Sequence, residues 1–124
     1  CIRDRSISEL VAESLRMQIN SAVADSFGLC VFGRSVTDDN LKLIADAIND
    51  AFEADVDPEF IRHIAFETLR LEAAFNKAAG FKEEDDELPG FFTDEPLPPT
   101  NKTNRLFSRE VNQQMQALLA SAAV

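Results

Sequence analysis

Apolar residues at helical spacing, placed between start and stop signals, constrain this chain more than any other feature. In "SISELVAESLRMQI", Ser6 is followed three residues later by Glu9, the pattern of a capping box. Apolar residues then recur every three or four positions, as on one face of a helix. No segment alternates with period two for long enough to predict a sheet. The sequence therefore predicts an all-α fold, packed as a helix bundle or in a similar way.

Three further segments carry helix signals. Thr37 is the predicted N-cap of "VTDDNLKLIADAINDAF". In "DPEFIRHIAFETLRLEAAFNKAAG", Asp57 is the predicted N-cap, Pro58 the first helical residue and Gly80 the residue just beyond the end. Ser108 is the predicted cap of "SREVNQQMQALLASA". The apolar stripe predicted for the segment after Asp57 includes Ile61, Ile64, Ala65, Thr68, Leu69, Leu71 and Phe75.

Residues 80–107 interrupt the helical pattern. They contain four of the five prolines and the acidic run 83–87. Such a long connection is uncommon in a compact domain unless it is functional or disordered. Disordered linkers are poor in aromatic residues, so the composition favours an ordered strap over a mobile linker, which is the alternative. The apolar side chains expected to anchor this strap to a surface are Phe81, Leu88, Phe91, Phe92, Leu97, Leu106 and Phe107.

Charge and cysteine content restrict the partners and the compartment. The net charge is −10, which argues against binding to a nucleic acid backbone or to an anionic membrane surface. No apolar run approaches the ~18 residues of a spanning helix. The segment "CIRDRSISEL" does not resemble a signal peptide, and Cys1 and Cys30 are the only cysteines. We therefore expect a cytoplasmic protein of 124 residues in one domain.

The residues that could perform catalysis are few. His63 is the only histidine, and acid–base work needs a positioned partner that the sequence does not show, so a structural or surface histidine is favoured. The acidic run 83–87 lacks the spaced ligands and the glycine turn of a calcium loop. There is no glycine-rich phosphate loop and no Cys-x-x-Cys pair. We predict no catalytic residue and no activity for the chain alone.

The hexapeptide "DSFGLC" combines residue types that suit a cofactor-binding loop. Asp25 can accept hydrogen bonds from the N–H groups of a heterocycle, and Gly28 permits close approach or a positive φ. Leu29 can pack on a ring face and also offers backbone groups. Cys30, as a thiolate, can ligate iron, although a buried, inert thiol is the alternative. The combination fits a loop that contacts an organic cofactor and a metal cluster together.

Two segments carry a resemblance to one family. The pattern Asp-x-x-Gly-Leu-Cys resembles the second pterin-binding motif of the tungsten-containing aldehyde:ferredoxin oxidoreductase family. The segment "LEAAFNKAAGFKEEDDELPGFFTDEPLP", residues 71–98, resembles the C-terminal signature of the same family, with Leu-Glu-x-x-Phe-Asn, Gly-Phe, Asp-Asp-x-Leu-Pro and Glu-Pro-Leu-Pro in order. A hexapeptide alone would be weak evidence, but the second match makes chance agreement improbable.

The resemblance implies a role for each motif residue. Asp25 would bind a pterin of a tungsten bis-pyranopterin cofactor, and Leu29 would lie against the same pterin through its backbone. Gly28 would allow the close approach. Cys30 would be the fourth ligand of a 4Fe–4S cluster, with its sulfur near the pterin on the electron path. The family oxidises aldehydes to carboxylic acids and passes the electrons to ferredoxin.

The family features that this sequence lacks define the expected scope of the chain. The other three cluster cysteines, the first pterin motif and the N-terminal cofactor domain are absent from the 124 residues. Residues 1–124 therefore resemble a single C-terminal helical domain whose partner is the remainder of the parent enzyme. Without that remainder we expect no 4Fe–4S cluster and no tungsten or molybdenum. The alternative is a free-standing helical interaction module without catalysis.

Overall fold

Helices make up most of the computed structural model, which describes residues 5–104 and 108–121. Two 3₁₀ turns, Val31–Gly33 and Glu83–Asp86, accompany the helices. Within the described ranges the only β feature is an isolated bridge between Leu97 and Lys102, so the all-α prediction is confirmed. None of the described helices is both long and apolar enough to cross a membrane. The helices are α1 (Ile7–Ser26), α2 (Arg34–Thr37), α3 (Leu41–Phe52), α4 (Pro58–Ala78), α5 (Phe91–Asp94) and α6 (Ser108–Ser121).

The predicted capping signals of α1 and α4 are confirmed. The backbone N–H of Ser6 donates to Glu9 Oε2 at 2.7 Å, and the Glu9 N–H donates to Ser6 Oγ at 3.3 Å. The first of these bonds holds the pKa of the Glu9 carboxyl below its usual value. At α4, the Phe60 N–H donates to Asp57 Oδ1 at 2.8 Å. Gly80, at φ +91°, closes α4 in the left-handed conformation that glycine adopts without strain.

The N-cap predicted for α3 is wrong. Thr37 is the last residue of α2, and α3 begins at Leu41, after a turn in which Asp39 has φ +57°. The side chain of Asn20, on α1, causes the difference. Asn20 Oδ1 accepts the Asp39 N–H at 3.3 Å and Asn20 Nδ2 donates to Asp39 Oδ1 at 3.2 Å, so the turn is held away from a helical path.

Residues 13–75 form one compact unit with a core built from α1, α3 and α4. The buried cluster is Ala22, Val23, Ile44, Ala45, Ile61 and Ala65. Three of these six residues are alanines, and small side chains let helices approach closely. Leu69, on the predicted α4 stripe, packs against this core. Leu71 and Phe75 are 68% and 72% exposed, so their place in the predicted stripe is wrong. Leu71 lies about 200° around the helix from Leu69, and Phe75 stands one turn after Leu71.

The second compact unit comprises the described residues of 1–12 and 76–124, including the strap. The strap contains local structure: the Asn104 N–H donates to the Phe92 carbonyl at 2.6 Å, and the Leu97 N–H to the Lys102 carbonyl at 2.9 Å. Asn112 Nδ2, on α6, donates to an Asp86 carboxylate oxygen at 3.1 Å. The expected anchoring is only partial, because Phe81, Leu88, Phe91 and Leu97 remain 49–63% exposed. Leu106 and Phe107 lie outside the described residues.

The bond pair between Asn20 and Asp39 gives a first testable expectation. Asn20 is buried, and its amide is engaged on both sides by Asp39. We expect Asn20→Ala to lower the free energy of unfolding by about 1–3 kcal/mol, because both bonds to the turn are lost. Urea denaturation of the chain measures this. Gln18→Ala, at an exposed position of the same helix, is the control and should change stability by less than about 0.5 kcal/mol. Equal losses in the two variants would contradict the assignment.

Candidate functional site

The segment "DSFGLC" forms the end of α1 and the loop that follows it. The Phe27 N–H donates to the Val23 carbonyl at 3.0 Å, and the Leu29 N–H donates to the Ala24 carbonyl at 2.8 Å. Gly28 lies between them at φ +66°. This bond pattern is a Schellman-type helix ending. It explains the glycine, because other residues adopt a positive φ only with strain.

Gly28 also leaves its surroundings open. A Cβ atom built on it would meet no other atom within 4 Å. The backbone conformation, and not contact with the rest of the chain, is therefore what requires glycine here. The open space means that another molecule can approach the backbone at this point.

Leu29 and Cys30 are adjacent but face different environments. The Leu29 side chain is half-buried and packs against the core cluster of residues 13–75. Cys30 is exposed and forms no disulfide within the described residues, so the burial assumed by the alternative of a buried, inert thiol is wrong. The Cys30 carbonyl accepts the Gly33 N–H at 2.9 Å and begins the 3₁₀ turn. The loop therefore presents the thiol to solvent while its neighbour holds the backbone to the core.

Exposed apolar side chains follow the thiol in the chain. Phe32 is 94% exposed and Val31 is 61% exposed, and Val36 on α2 is also exposed. Single exposed apolar residues are ordinary on a protein surface. Here three of them, one an almost fully exposed phenylalanine, fall within six residues of Cys30. The thiol is thus followed along the chain by several exposed apolar side chains.

Asp25 lies on a groove between α1 and α4 with a volume of about 310 Å³. Its carboxylate is exposed and, within the described part of the chain, has no hydrogen bond or ion pair. Sequence reasoning did not single out Glu72, which lies across the groove on α4; the only signal was its place in "LEAAFN". The residues lining the groove are Ser14, Met17, Gln18, Ser21, Ala22, Asp25, Leu69 and Glu72.

The described residues do not form a complete metal site. Across 5–104 and 108–121, no group of three or more histidine, cysteine, aspartate or glutamate side chains could hold a metal ion. Cys30 is the only cysteine in those ranges. His63 is exposed on α4 and does not line the groove, as expected for a surface histidine. Any metal group would need ligands besides those described.

Fold and loop together define a class of protein: an all-α protein that presents an exposed carboxylate, a left-handed glycine and an exposed thiol along one helix ending. Comparison with protein families matches residues 5–120 to aldehyde ferredoxin oxidoreductase, domains 2 & 3. The chain therefore belongs to the aldehyde ferredoxin oxidoreductase family, as its two motifs indicated. No curated protein matches the chain, and neither does any solved structure.

Proposed function

We propose that this chain is the C-terminal cofactor-binding part of a tungsten- or molybdenum-containing aldehyde:ferredoxin oxidoreductase. The observation that carries the proposal is the exposed thiol of Cys30 on the α1 loop of a chain that belongs to this family. In this proposal residues 1–124 act as one domain of a larger cytoplasmic enzyme. The chain supplies part of the cofactor site and no catalytic residue, so we expect it to be inactive alone.

The loop has the properties that pterin binding requires. A pterin carries N–H donors along the edge of a flat ring, and the Asp25 carboxylate, which has no hydrogen bond or ion pair within the described residues, is an acceptor. Gly28 offers open backbone next to it. Because the Leu29 side chain is engaged by the core, its contact with a pterin would run through its backbone. Asp25, Gly28 and Leu29 would therefore bind and orient the pterin without a change in the fold of the loop.

The thiol has the properties that cluster ligation requires. A 4Fe–4S cluster takes four cysteine ligands, of which Cys30 would be one, and the other three would come from the rest of the parent enzyme. The exposed Val31 and Phe32 would then lie beside the cluster. Cluster potentials depend on solvent exposure, so these side chains would help to exclude water.

The bound groups, and not this chain, would supply the redox chemistry. The chemistry they would supply is the two-electron oxidation of an aldehyde to a carboxylic acid, with water as the source of the added oxygen, and the transfer of the two electrons to ferredoxin. The chain would hold the pterin edge through Asp25 and fix the position of one cluster iron through Cys30. Its contribution is the relative placement of the two groups, since both residues lie on one helix ending.

A free-standing interaction module is the competing proposal, because exposed apolar residues such as Phe32 also suit a protein partner. The coding sequence upstream of this chain separates the two proposals. A continuous reading frame that carries a Cys-x-x-Cys-x-x-x-Cys run supports the enzyme. A frame that stops before such a run supports the module.

Asp25→Asn tests the pterin contact in the parent enzyme. The amide loses the negative charge that strengthens hydrogen bonds from ring N–H groups, so we expect roughly tenfold weaker pterin retention. Pterin is measured by fluorescence after oxidative release, and metals by elemental analysis. Tungsten or molybdenum should fall with the pterin, while iron should stay constant.

Asp50→Asn is the matched control for that experiment. It removes the same charge from an exposed position on α3 that does not line the groove. Its pterin content should equal that of the unmodified enzyme. Unchanged pterin content in Asp25→Asn would refute the role assigned to this carboxylate.

A further inference from the structure

Glu72 brings a second carboxylate to the groove that contains Asp25. Both side chains are exposed, and no hydrogen bond or ion pair engages either of them within the described residues. They come from different helices and from the two separate segments, "DSFGLC" and "LEAAFN", that the sequence singled out. Folding therefore places parts of both segments on one concave surface.

Helical spacing accounts for the composition of the groove. Ser14, Gln18, Ser21 and Asp25 on α1 are four, three and four residues apart, so they share one face. Leu69 and Glu72 on α4 are three residues apart and stand over one another in the same way. The wall on α1 is mostly polar and ends in a carboxylate, while α4 supplies the second carboxylate.

The floor of the groove is apolar and its position is fixed. Ala22 is buried and belongs to the core cluster, and Leu69 packs against that cluster. Beside the groove, the hydroxyls of Ser26 and Thr68 lie 3.5 Å apart across the two helices. Thr68 Oγ1 donates to the Ile64 carbonyl at 2.9 Å, so Ser26 is the donor to Thr68. The packing of Ala22 and Leu69 in and against the core cluster thus holds α1 and α4 together at the groove.

These features select a class of ligand. A volume of about 310 Å³ is at the lower end of small-molecule sites. Ionised carboxylates only accept hydrogen bonds, so a ligand held by two of them must offer N–H or O–H donors or positive charge. The apolar floor, with Met17 at the side, suits a flat ring face. An aminopyrimidine ring has both properties, with donors at its edge and apolar faces.

We propose that Glu72 is a second pterin-binding carboxylate, which accepts N–H donors of the ring from the side of the groove opposite Asp25. The proposal rests on the function proposed above, in which Asp25 binds a pterin. It adds one binding residue outside the hexapeptide. It also gives the orientation of the pterin ring, which would lie along the groove between α1 and α4 with its edge between the two carboxylates.

The test uses the ¹⁵N-labelled 124-residue chain and a reduced pterin, 6,7-dimethyltetrahydropterin, added without oxygen. We expect amide shifts that cluster at Ser21, Asp25 and Glu72. Glu72→Gln should weaken binding roughly tenfold, because one charge-assisted acceptor is lost. Asp50→Asn removes an equal charge away from the groove and should leave the affinity unchanged. The dispersion of each spectrum shows that the variant is folded.

Several outcomes would overturn the proposal. One is the absence of groove shifts up to ~10 mM pterin, a concentration at which even very weak binding is detected. Another is equal weakening by Glu72→Gln and Asp50→Asn, which would mean general electrostatic attraction. A third is that Mg²⁺ or spermidine, titrated separately, binds the same residues as tightly as the pterin does. The groove would then be a cation site without selectivity for the ring.

Measurements on the parent enzyme separate this proposal from the one on which it rests. If Asp25→Asn lowers pterin content and Glu72→Gln does not, the proposed function stands and the role of Glu72 is refuted. If neither variant changes pterin content, the pterin-binding roles of both Asp25 and Glu72 are refuted. Loss in both variants, with iron content retained, supports both.

Discussion

Replacing Cys30 by alanine in the parent enzyme is expected to lower its iron content and to reduce aldehyde-dependent dye reduction by about a hundredfold or more. A cluster iron left without its thiolate takes up water or is lost, and changes even in the groups around metal ligands cost ten- to a hundredfold. Elemental analysis and dye reduction with a saturating aldehyde measure the two effects. Full iron occupancy with normal turnover would end the assignment of Cys30 as a ligand.

The same substitution should have little effect on the 124-residue chain. Cys30 is exposed and contributes no core volume, so the free energy of unfolding should change by less than about 0.5 kcal/mol. Ser35→Ala, which removes a single side-chain heteroatom from an exposed position on α2, is the control in both settings. It should leave iron content and stability close to those of the unmodified protein. A large loss of stability on Cys30→Ala in the chain alone would point to a packing role instead.

Ile61→Ala is expected to be the most destabilising of the substitutions considered for the chain itself. Ile61 is 0% exposed and belongs to the core cluster formed by α1, α3 and α4. Truncation removes buried methyl and methylene groups and leaves a cavity, which costs about 2–5 kcal/mol. Urea denaturation followed by circular dichroism at the helical band gives the value.

Leu71→Ala provides the comparison for Ile61 on the same helix. Leu71 is 68% exposed, so its truncation should change the unfolding free energy by less than about 0.5 kcal/mol. Similar losses of unfolding free energy at Ile61 and Leu71 would contradict the assignment of Ile61 to the buried face of α4 and of Leu71 to its exposed face. The contrast also checks which apolar residues of the α4 stripe form the core.

The helix ends that were predicted correctly depend on contacts within a few residues. Ser6 with Glu9 and Asp57 with Phe60 are three positions apart, so the sequence alone contains both partners. Thr37 shows the limit of such reasoning. The segment "TDDN" offers four polar residues that can cap a helix, and the choice among them depends on Asn20, which is distant in sequence. Helix and capping propensities do not reveal a contact between residues so far apart in sequence.

Burial on α4 shows the same limit. The spacing predicted that apolar residues would line the helix, but α4 is apolar on more than one side. Only packing against α1 and α3 decides that Ala65 is buried while Leu71 and Phe75 are exposed. A single sequence does not reveal which apolar face will find a neighbour within the chain.

The candidate site divides along similar lines. The positive φ of Gly28 is one of the two uses that the residue type allowed, since glycine adopts this conformation without strain. The exposure of Cys30 did not follow from the sequence, because a free cysteine is more often buried. Glu72 could not be assigned to the site from the sequence, for a different reason. The groove exists only once α1 and α4 pack together, and no sequence motif shows which residues of two helices will face each other.

The different environments of the Leu29 and Cys30 side chains have a consequence for the energetics of cofactor loading. Fixing the backbone of one residue costs roughly 1–2 kcal/mol of conformational entropy. In this loop, the packing of Leu29 against the core and the hydrogen bond from its N–H to the Ala24 carbonyl fix the backbone when the chain folds. The entropy cost is therefore met during folding and not during ligand binding. A ligand that arrives later at Cys30 meets a backbone that is already ordered. More of its intrinsic binding energy then remains as affinity, which is the thermodynamic advantage of a preorganised site.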